Sequence, residues 1–93
     1  MKNLDDYQLP IDLDWTTAEI IAVSEFVDAV FAAHEQGVDR ERLLALYNAY
    51  RQVLPAKSEQ KTFERQIEQD TNISIFQTIK TAQATSTKQV KLT

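Results

Sequence analysis

Six apolar side chains between residues 43 and 54 recur at intervals of three and four, and this stripe constrains the fold more than any other feature of the chain. The spacing is that of one face of an α-helix. Pro55 ends the run because proline has no N–H to donate, and Asp39 is a favourable N-cap before it. A helix over residues 39–54 is therefore predicted, with an apolar face of Leu43, Leu46, Tyr47, Tyr50, Val53 and Leu54.

Another helix is predicted directly before it, over residues 16–36. Thr16 and Glu19 have the spacing of a capping box, in which each side chain accepts the other residue's backbone N–H. Gly37, the only glycine, suits the left-handed backbone that follows a helix. Because a two-residue turn joins 16–36 to 39–54, the two helices must be neighbours, with apolar faces against each other or a shared third element.

Two shorter helices are predicted after Pro55, over residues 57–70 and 74–84. The first carries only Phe63 and Ile67 as large apolar residues, which is typical of a surface helix. The second begins at another capping-box pair, Ser74 with Gln77. Residues 85–93 are predicted to fray, since 85–88 lack periodicity, with the alternative that Val90 and Leu92, which alternate, dock on the fold.

The first fifteen residues are predicted to form an extended arm rather than a helix. Five apolar residues alternate there with polar residues or proline, a period of two that is typical of extended backbone with one apolar edge. Pro10 argues against a central strand, so the arm is expected to lie across the helices. The alternating residues are Tyr7, Leu9, Ile11, Leu13 and Trp15.

These elements predict an all-α fold, a compact four-helix bundle-like domain with an extended N-terminal arm. At 93 residues the chain is long enough for one domain (1–93) and one modest core. The core is predicted to contain Ile20, Val23, Phe26, Val27, Val30, Leu43, Leu46, Tyr47, Tyr50, Phe63, Ile67, Phe76 and Ile79.

Several segments, in their order along the chain, resemble those of a known family. They are residues 10–20, 37–41, 43–44 with Tyr47, 53–61 and 74–79, and the most specific are the Asp14-Trp15-Thr16 step and the Pro55-Ala56-Lys57 step. In their order and context they look like uncharacterised protein family 0223 of Gram-positive bacteria, which consists of small all-helical proteins with no assigned activity. The resemblance covers roughly residues 7 to 84. It implies a helical fold and implies no catalytic residue.

Composition excludes several classes of function. The chain has no cysteine, which rules out disulfides, thiolate metal sites and cysteine nucleophiles. Its apolar runs fall well short of the roughly 18 residues of a membrane span, and its first residues lack the pattern of a signal peptide. A cytoplasmic location without membrane contact is therefore predicted.

Charge is distributed unevenly along the chain. Residues 1–39 contain nine acids and one base, a net charge of −8, whereas residues 40–93 contain nine bases and five acids, a net charge of +4. The two halves are expected to neutralise each other within the fold or across a homodimer.

Catalytic and metal-binding residues are not indicated. His34, the only histidine, has no carboxylate in motif spacing, and its place in the last turn of a helix favours a structural role. Asp12 and Asp14 lack the glycine turn and the following glutamate of a calcium loop. We therefore predict no cofactor, no metal and no enzymatic activity.

Two surfaces remain as candidates for binding. Tyr7, Leu9, Ile11 and Leu13 form an apolar-edged arm that can contact a protein partner or a second copy. Lys57, Lys61 and Arg65 recur every four residues and could meet phosphates, although acids are interleaved with them. The sequence thus predicts a non-enzymatic interaction or regulatory module of unknown function, with a nucleic-acid-associated regulator as the alternative.

Overall fold

The structure is a computed structural model that describes residues 9–92. Within that range it contains four helices and one pair of short strands, and none of these helices is long and apolar enough to cross a membrane. The predicted all-α fold is confirmed, and the radius of gyration of 12.6 Å is close to the roughly 12 Å of a compact chain of this length. In chain order the elements are α1 (Thr17–Ala33), β1 (Val38–Asp39), α2 (Arg40–Val53), α3 (Lys57–Thr71), α4 (Ile75–Ala84) and β2 (Gln89–Val90).

Three of these four helices begin at a side-chain cap, and all three caps are among the predicted ones. At Thr16 the capping box is complete: the Thr16 Oγ1 accepts the N–H of Glu19 at 3.2 Å, and the Glu19 carboxylate accepts the N–H of Thr16 at 2.9 Å. Asp39 and Ser74 cap α2 and α4 by accepting the N–H three residues on. At Ser74 this is one half of the predicted capping box, since Gln77 makes no return bond to the Ser74 N–H. α3 follows Ala56, which has no side-chain acceptor. Local capping chemistry therefore fixes where most of the helices start.

The predicted end of the first helix, at residue 36, is wrong. α1 ends at Ala33, and a tight turn follows in which Glu35 donates its N–H to the Ala32 carbonyl at 3.0 Å. Gly37 has φ of +98°, as its predicted left-handed conformation requires, and its N–H reaches the same carbonyl at 2.7 Å. The N–H groups of the turn therefore satisfy a carbonyl of the last turn of α1 before β1 begins.

The core is centred on the hairpin of α1 and α2, which pack against each other more extensively than any other pair of elements. Phe26 of α1 is fully buried, and its ring lies 4.6 Å from that of Tyr50 on α2. α3 adds Phe63 and Ile67 to this core. Three further residues that were predicted as core are half-buried: Ile20, Leu46 and Tyr47.

The prediction that Phe76 belongs to the core is wrong, since 62% of this residue is exposed. The buried face of α4 begins one residue earlier, at Ile75, and Phe76 lies about 100° round the helix from it. The buried face includes Thr78, a polar residue that hydrophobic periodicity alone would place among the exposed residues. It consists of Ile75, Thr78, Ile79 and Ala82.

The predicted fraying of residues 85–93 is also wrong for the part that the structure describes. β2 pairs with β1 in antiparallel fashion, with Val90 opposite Val38, and Val90 is only 2% exposed. Arg40 donates its N–H to the Lys88 carbonyl at 2.8 Å, and Leu92 donates to the Ala33 carbonyl at 2.7 Å. Val90 and Leu92 therefore dock, as the alternative for this tail predicts, and the backbone that leaves the Gly37 turn supplies the strand partner.

The arm is only partly as predicted. Leu9 packs against the core, and the Trp15 ring lies 6.3 Å from that of Phe63 on α3. Between them a turn breaks the alternation, because the Asp12 carbonyl accepts the N–H of Trp15 at 3.1 Å. As a result Leu13 is 97% exposed, so its predicted place on an inward apolar edge is wrong. Tyr7 lies outside the described residues.

Candidate functional site: a groove between helices α3 and α4

Two adjoining concavities of about 560 and 480 Å³ lie between α3 and α4. They share lining residues on both helices, so we describe them together as the α3–α4 groove. α3 runs along one side with a mostly charged face, α4 forms the other side, and Tyr47 of α2 contributes at one end. The shared residues are Lys61, Glu64, Ile75 and Phe76.

Phe76 is the main apolar feature of the groove. It is 62% exposed, and the Lys80 Nζ, one helical turn further on, lies 5.9 Å from the centre of its ring. A cation in that position is attracted to the face of an aromatic ring. The groove therefore presents an apolar surface directly beside a positive charge.

The predicted cationic stripe lies in the same place. Lys57, Lys61 and Arg65 are all exposed, and all three line the groove because residues four apart share one face of α3. Lys80 of α4 adds a fourth cation that the sequence analysis did not identify. Two carboxylates, from Glu64 and Glu68, stand among these cations. The groove thus has an excess of positive charge in a chain whose net charge is −4.

A hydrogen bond between Tyr50 and Glu64 ties α2 to α3 at this groove. The hydroxyl of the fully buried Tyr50 donates to the Glu64 Oε2 at 2.9 Å. Burial raises the pKa of the Glu64 carboxyl, and the bond from Tyr50 lowers it to a smaller extent. Burial and the neighbouring Glu64 charge raise the pKa of Tyr50. Tyr50 is therefore the proton donor of this pair at physiological pH.

Replacing Glu64 with glutamine should make stability less dependent on pH. A carboxyl whose folded pKa lies above its unfolded value of 4.5 stabilises the fold fully below that value and loses this contribution as the pH rises through the folded pKa. The amide oxygen of Glu64→Gln can still accept from Tyr50 without becoming charged. We expect the variant to gain stability relative to the wild type as the pH rises from about 4 to 8.

Urea denaturation at several pH values measures this effect. Glu68→Gln is the matched control, because Glu68 lies one turn further along α3 and is exposed. A difference between wild type and Glu64→Gln that stays constant across the range would show that burial does not govern the ionisation of Glu64.

His34 has a structural contact. Its Nε2 lies 2.8 Å from the Oγ1 of the fully buried Thr78, and the Thr78 hydroxyl donates to the Ser74 carbonyl at 2.7 Å. Since the Thr78 hydroxyl proton lies in the bond to Ser74, the His34 Nε2–H must be the donor to the Thr78 Oγ1. Burial lowers the pKa of His34, which favours the neutral imidazole. The contact links the end of α1 to α4.

The other proposed polar positions do not join the groove. The Asp12 carboxylate accepts the N–H of Asp14 at 2.9 Å, and within residues 9–92 the structure places no three His, Asp or Glu side chains together for a metal ion. The described part of the predicted partner-binding arm is also separate, since neither concavity is lined by Leu9, Ile11 or Leu13. The two candidate surfaces of the sequence analysis are thus different places on one molecule.

A family model described as "Uncharacterised protein family (UPF0223)" matches residues 6–91. The chain belongs to this family. The UPF0223 match extends past the predicted limit of residue 84 and includes β2, so the tail is part of the family's domain.

Several relatives carry the UPF0223 name. One from Lactiplantibacillus plantarum is 45% identical over 85 residues, which cover 91% of this chain and 88% of the relative. A second, from Bacillus pumilus, is 42% identical over 77 residues and covers 83% and 86%. A third, from Oceanobacillus iheyensis, is 37% identical over 86 residues and covers 92% and 98%. These matches show that the chain is related to UPF0223 proteins along most of its length, and the names of these relatives state no activity.

Proposed function

We propose that this UPF0223 chain is a non-enzymatic protein-interaction module, and that its α3–α4 groove binds a partner segment in which an apolar side chain is flanked by acids. The observation that carries the proposal is the exposure of Phe76, at 62%, in a concave surface with four cationic side chains. An exposed apolar side chain with a charged rim is typical of a protein contact. The rim would select an acidic partner and speed its association.

A nucleic-acid-associated regulator would use the same cations, and an exposed aromatic ring can stack on a base. Two features favour a protein instead. Glu64 and Glu68 line the groove, and the backbone of a peptide can donate N–H groups to them, whereas a phosphodiester backbone has no donor to offer. The chain is also acidic overall, which opposes the counterion release that drives nucleic-acid binding.

The absence of enzymatic activity is part of the same proposal. Glu64, one of the two carboxylates that line the groove, accepts a hydrogen bond from the buried Tyr50, and that contact supports a role in joining α2 to α3. The cytoplasmic location remains a prediction from the sequence.

Crosslinking in living cells with an amine-reactive reagent tests the proposal, because Lys57, Lys61 and Lys80 all line the groove. The tagged protein is recovered with and without nuclease, and the crosslinked lysines are located by mass spectrometry. We expect a reproducible protein partner that survives nuclease and is attached at these lysines.

Two variants make the result specific. Phe76→Ala should abolish the crosslinked product, whereas Ile21→Ala should preserve it, since Ile21 is a similarly exposed apolar residue on α1 outside the groove. A product that is unaffected by Phe76→Ala would overturn the proposal. A product that disappears with nuclease would establish the nucleic-acid alternative in its place.

A further inference from the structure

We infer that the acidic arm of a second copy of this chain occupies the α3–α4 groove, so that two copies exchange their arms. The inference rests on the proposed function, because it names the occupant of the same groove. The arm segment is defined here as residues 9–14, the described part of the predicted N-terminal arm. This segment and the groove are both exposed within one molecule, their charges are opposite, and the exchange between two copies is symmetric.

Within one molecule, both surfaces are without an apolar neighbour over much of their area. Leu13 is 97% exposed and Ile11 45% exposed, while Phe76 is 62% exposed. The described part of the arm lines neither concavity of the groove. Residues 9–14 therefore do not cover the groove of their own chain, and contact between these two described surfaces requires another molecule.

The charges of the two surfaces are complementary. Residues 9–14 contain two aspartates and no base, whereas the groove has four cations and two carboxylates. Leu13 stands between Asp12 and Asp14 in the sequence. When Leu13 packs on Phe76, both flanking carboxylates are brought to the cationic rim.

The spacing of the charges is also compatible. Cations four residues apart on α3 are separated by roughly 6 Å along the helix axis. Residues two apart in any backbone conformation are separated by at most about 7 Å. Asp12 and Asp14 therefore match the repeat of Lys57, Lys61 and Arg65 in scale. A pair of carboxylates can contact adjacent cations without rearrangement of α3.

Exchange between two copies satisfies both surfaces at once. In a two-fold dimer each copy provides one arm and one groove, so that both arms and both grooves are covered. The same contact places Asp12 and Asp14, two of the nine acids of residues 1–39, against cations that belong to residues 40–93. The uneven charge distribution of the chain thereby favours the association of two copies.

Sedimentation velocity of the purified full chain over a concentration series tests the inference. We expect the wild type to form a dimer whose dissociation constant rises with salt. Leu13→Asp disables the arm and Phe76→Asp disables the groove, and each should raise the dissociation constant at least tenfold. Circular dichroism should show unchanged helix content, because both residues are exposed. Ile21→Asp is the control and should leave the dimer intact.

A mixture of the two disabled variants provides the decisive measurement. The Phe76→Asp chain still has an arm, and the Leu13→Asp chain still has a groove, so the mixture should recover a heterodimer with one of the two contacts. Neither variant should form that species alone. Failure of the mixture to associate would overturn arm exchange.

The failure of this inference can be distinguished from failure of the proposed function. A wild-type chain that stays monomeric, but whose crosslinked protein product in cells still depends on Phe76, would overturn arm exchange and leave the groove as the binding site for another acidic partner. A dimer that persists in both disabled variants would also overturn arm exchange, since it would use a different surface.

Discussion

Replacing Phe26 with alanine should lower the free energy of unfolding by about 3–5 kcal/mol. The side chain is fully buried, and its ring lies 4.6 Å from Tyr50 and 5.7 Å from Tyr47. Truncation removes the ring that joins α1 to this aromatic cluster and leaves a cavity between two rigid helices. The loss is a large fraction of the roughly 5–15 kcal/mol that stabilise a typical domain. Urea denaturation at neutral pH measures it.

Phe76→Ala is the matched control, because it makes the same chemical change at a residue that is 62% exposed. Its cost should stay within about 0.5 kcal/mol, as for most surface substitutions. Equal losses in the two variants would mean that the burial of α1 and α4 is wrongly assigned. The comparison also shows whether loss of binding in a Phe76 variant can be separated from loss of stability.

The helix starts were predictable because capping is local. Thr16 and Glu19 lie within one turn of each other, and each supplies the acceptor that the other's backbone needs. Asp39 and Ser74 likewise act on residues three positions away. The α1–α2 hairpin followed from a short connection between two amphipathic segments. None of these features depends on distant parts of the chain.

The buried face of α4 was not predictable in the same way. Phe76, Ile79 and Ala82 look like an apolar stripe, but Ile75 and Thr78 share the buried face with Ile79 and Ala82. Burial of Thr78 is tolerated because its hydroxyl meets both the Ser74 carbonyl and His34. His34 lies 44 residues away along the chain, so the sequence around α4 does not show why Thr78 can be buried.

Only the part of the groove that α3 contributes was predictable from the sequence. Lys57, Lys61 and Arg65 belong to one helix, so their spacing alone places them on one face. Lys80 and Phe76 belong to α4, and only the packing of α4 beside α3 brings them to the same surface. The apolar spacing of α4 predicted Phe76 in the core, so the apolar half of the site was not predictable from periodicity.

Truncation of the chain after Thr87 should lower the free energy of unfolding by at least about 3 kcal/mol, from the lost burial of a valine side chain, the lost pairing of β2 with β1 and two further lost backbone hydrogen bonds. The valine is Val90, which is 2% exposed. The two further bonds join Arg40 to Lys88 and Leu92 to Ala33. A tail that frays in solution would instead be dispensable, so thermal and urea denaturation of the truncated chain separate the two descriptions.

Two point variants show which part of the tail stabilises the fold. Val90→Ser keeps the backbone of β2 and removes its buried side chain, so it should reproduce at most half of the effect of truncation, about 1.5 kcal/mol. Gln89→Ser changes an exposed residue in the same strand and should be neutral. If the truncated chain melts at the wild-type temperature, the pairing of β2 with β1 makes no net contribution to stability. If Val90→Ser alone matches truncation, burial of this one side chain, rather than strand pairing, holds the tail against the α1–α2 hairpin.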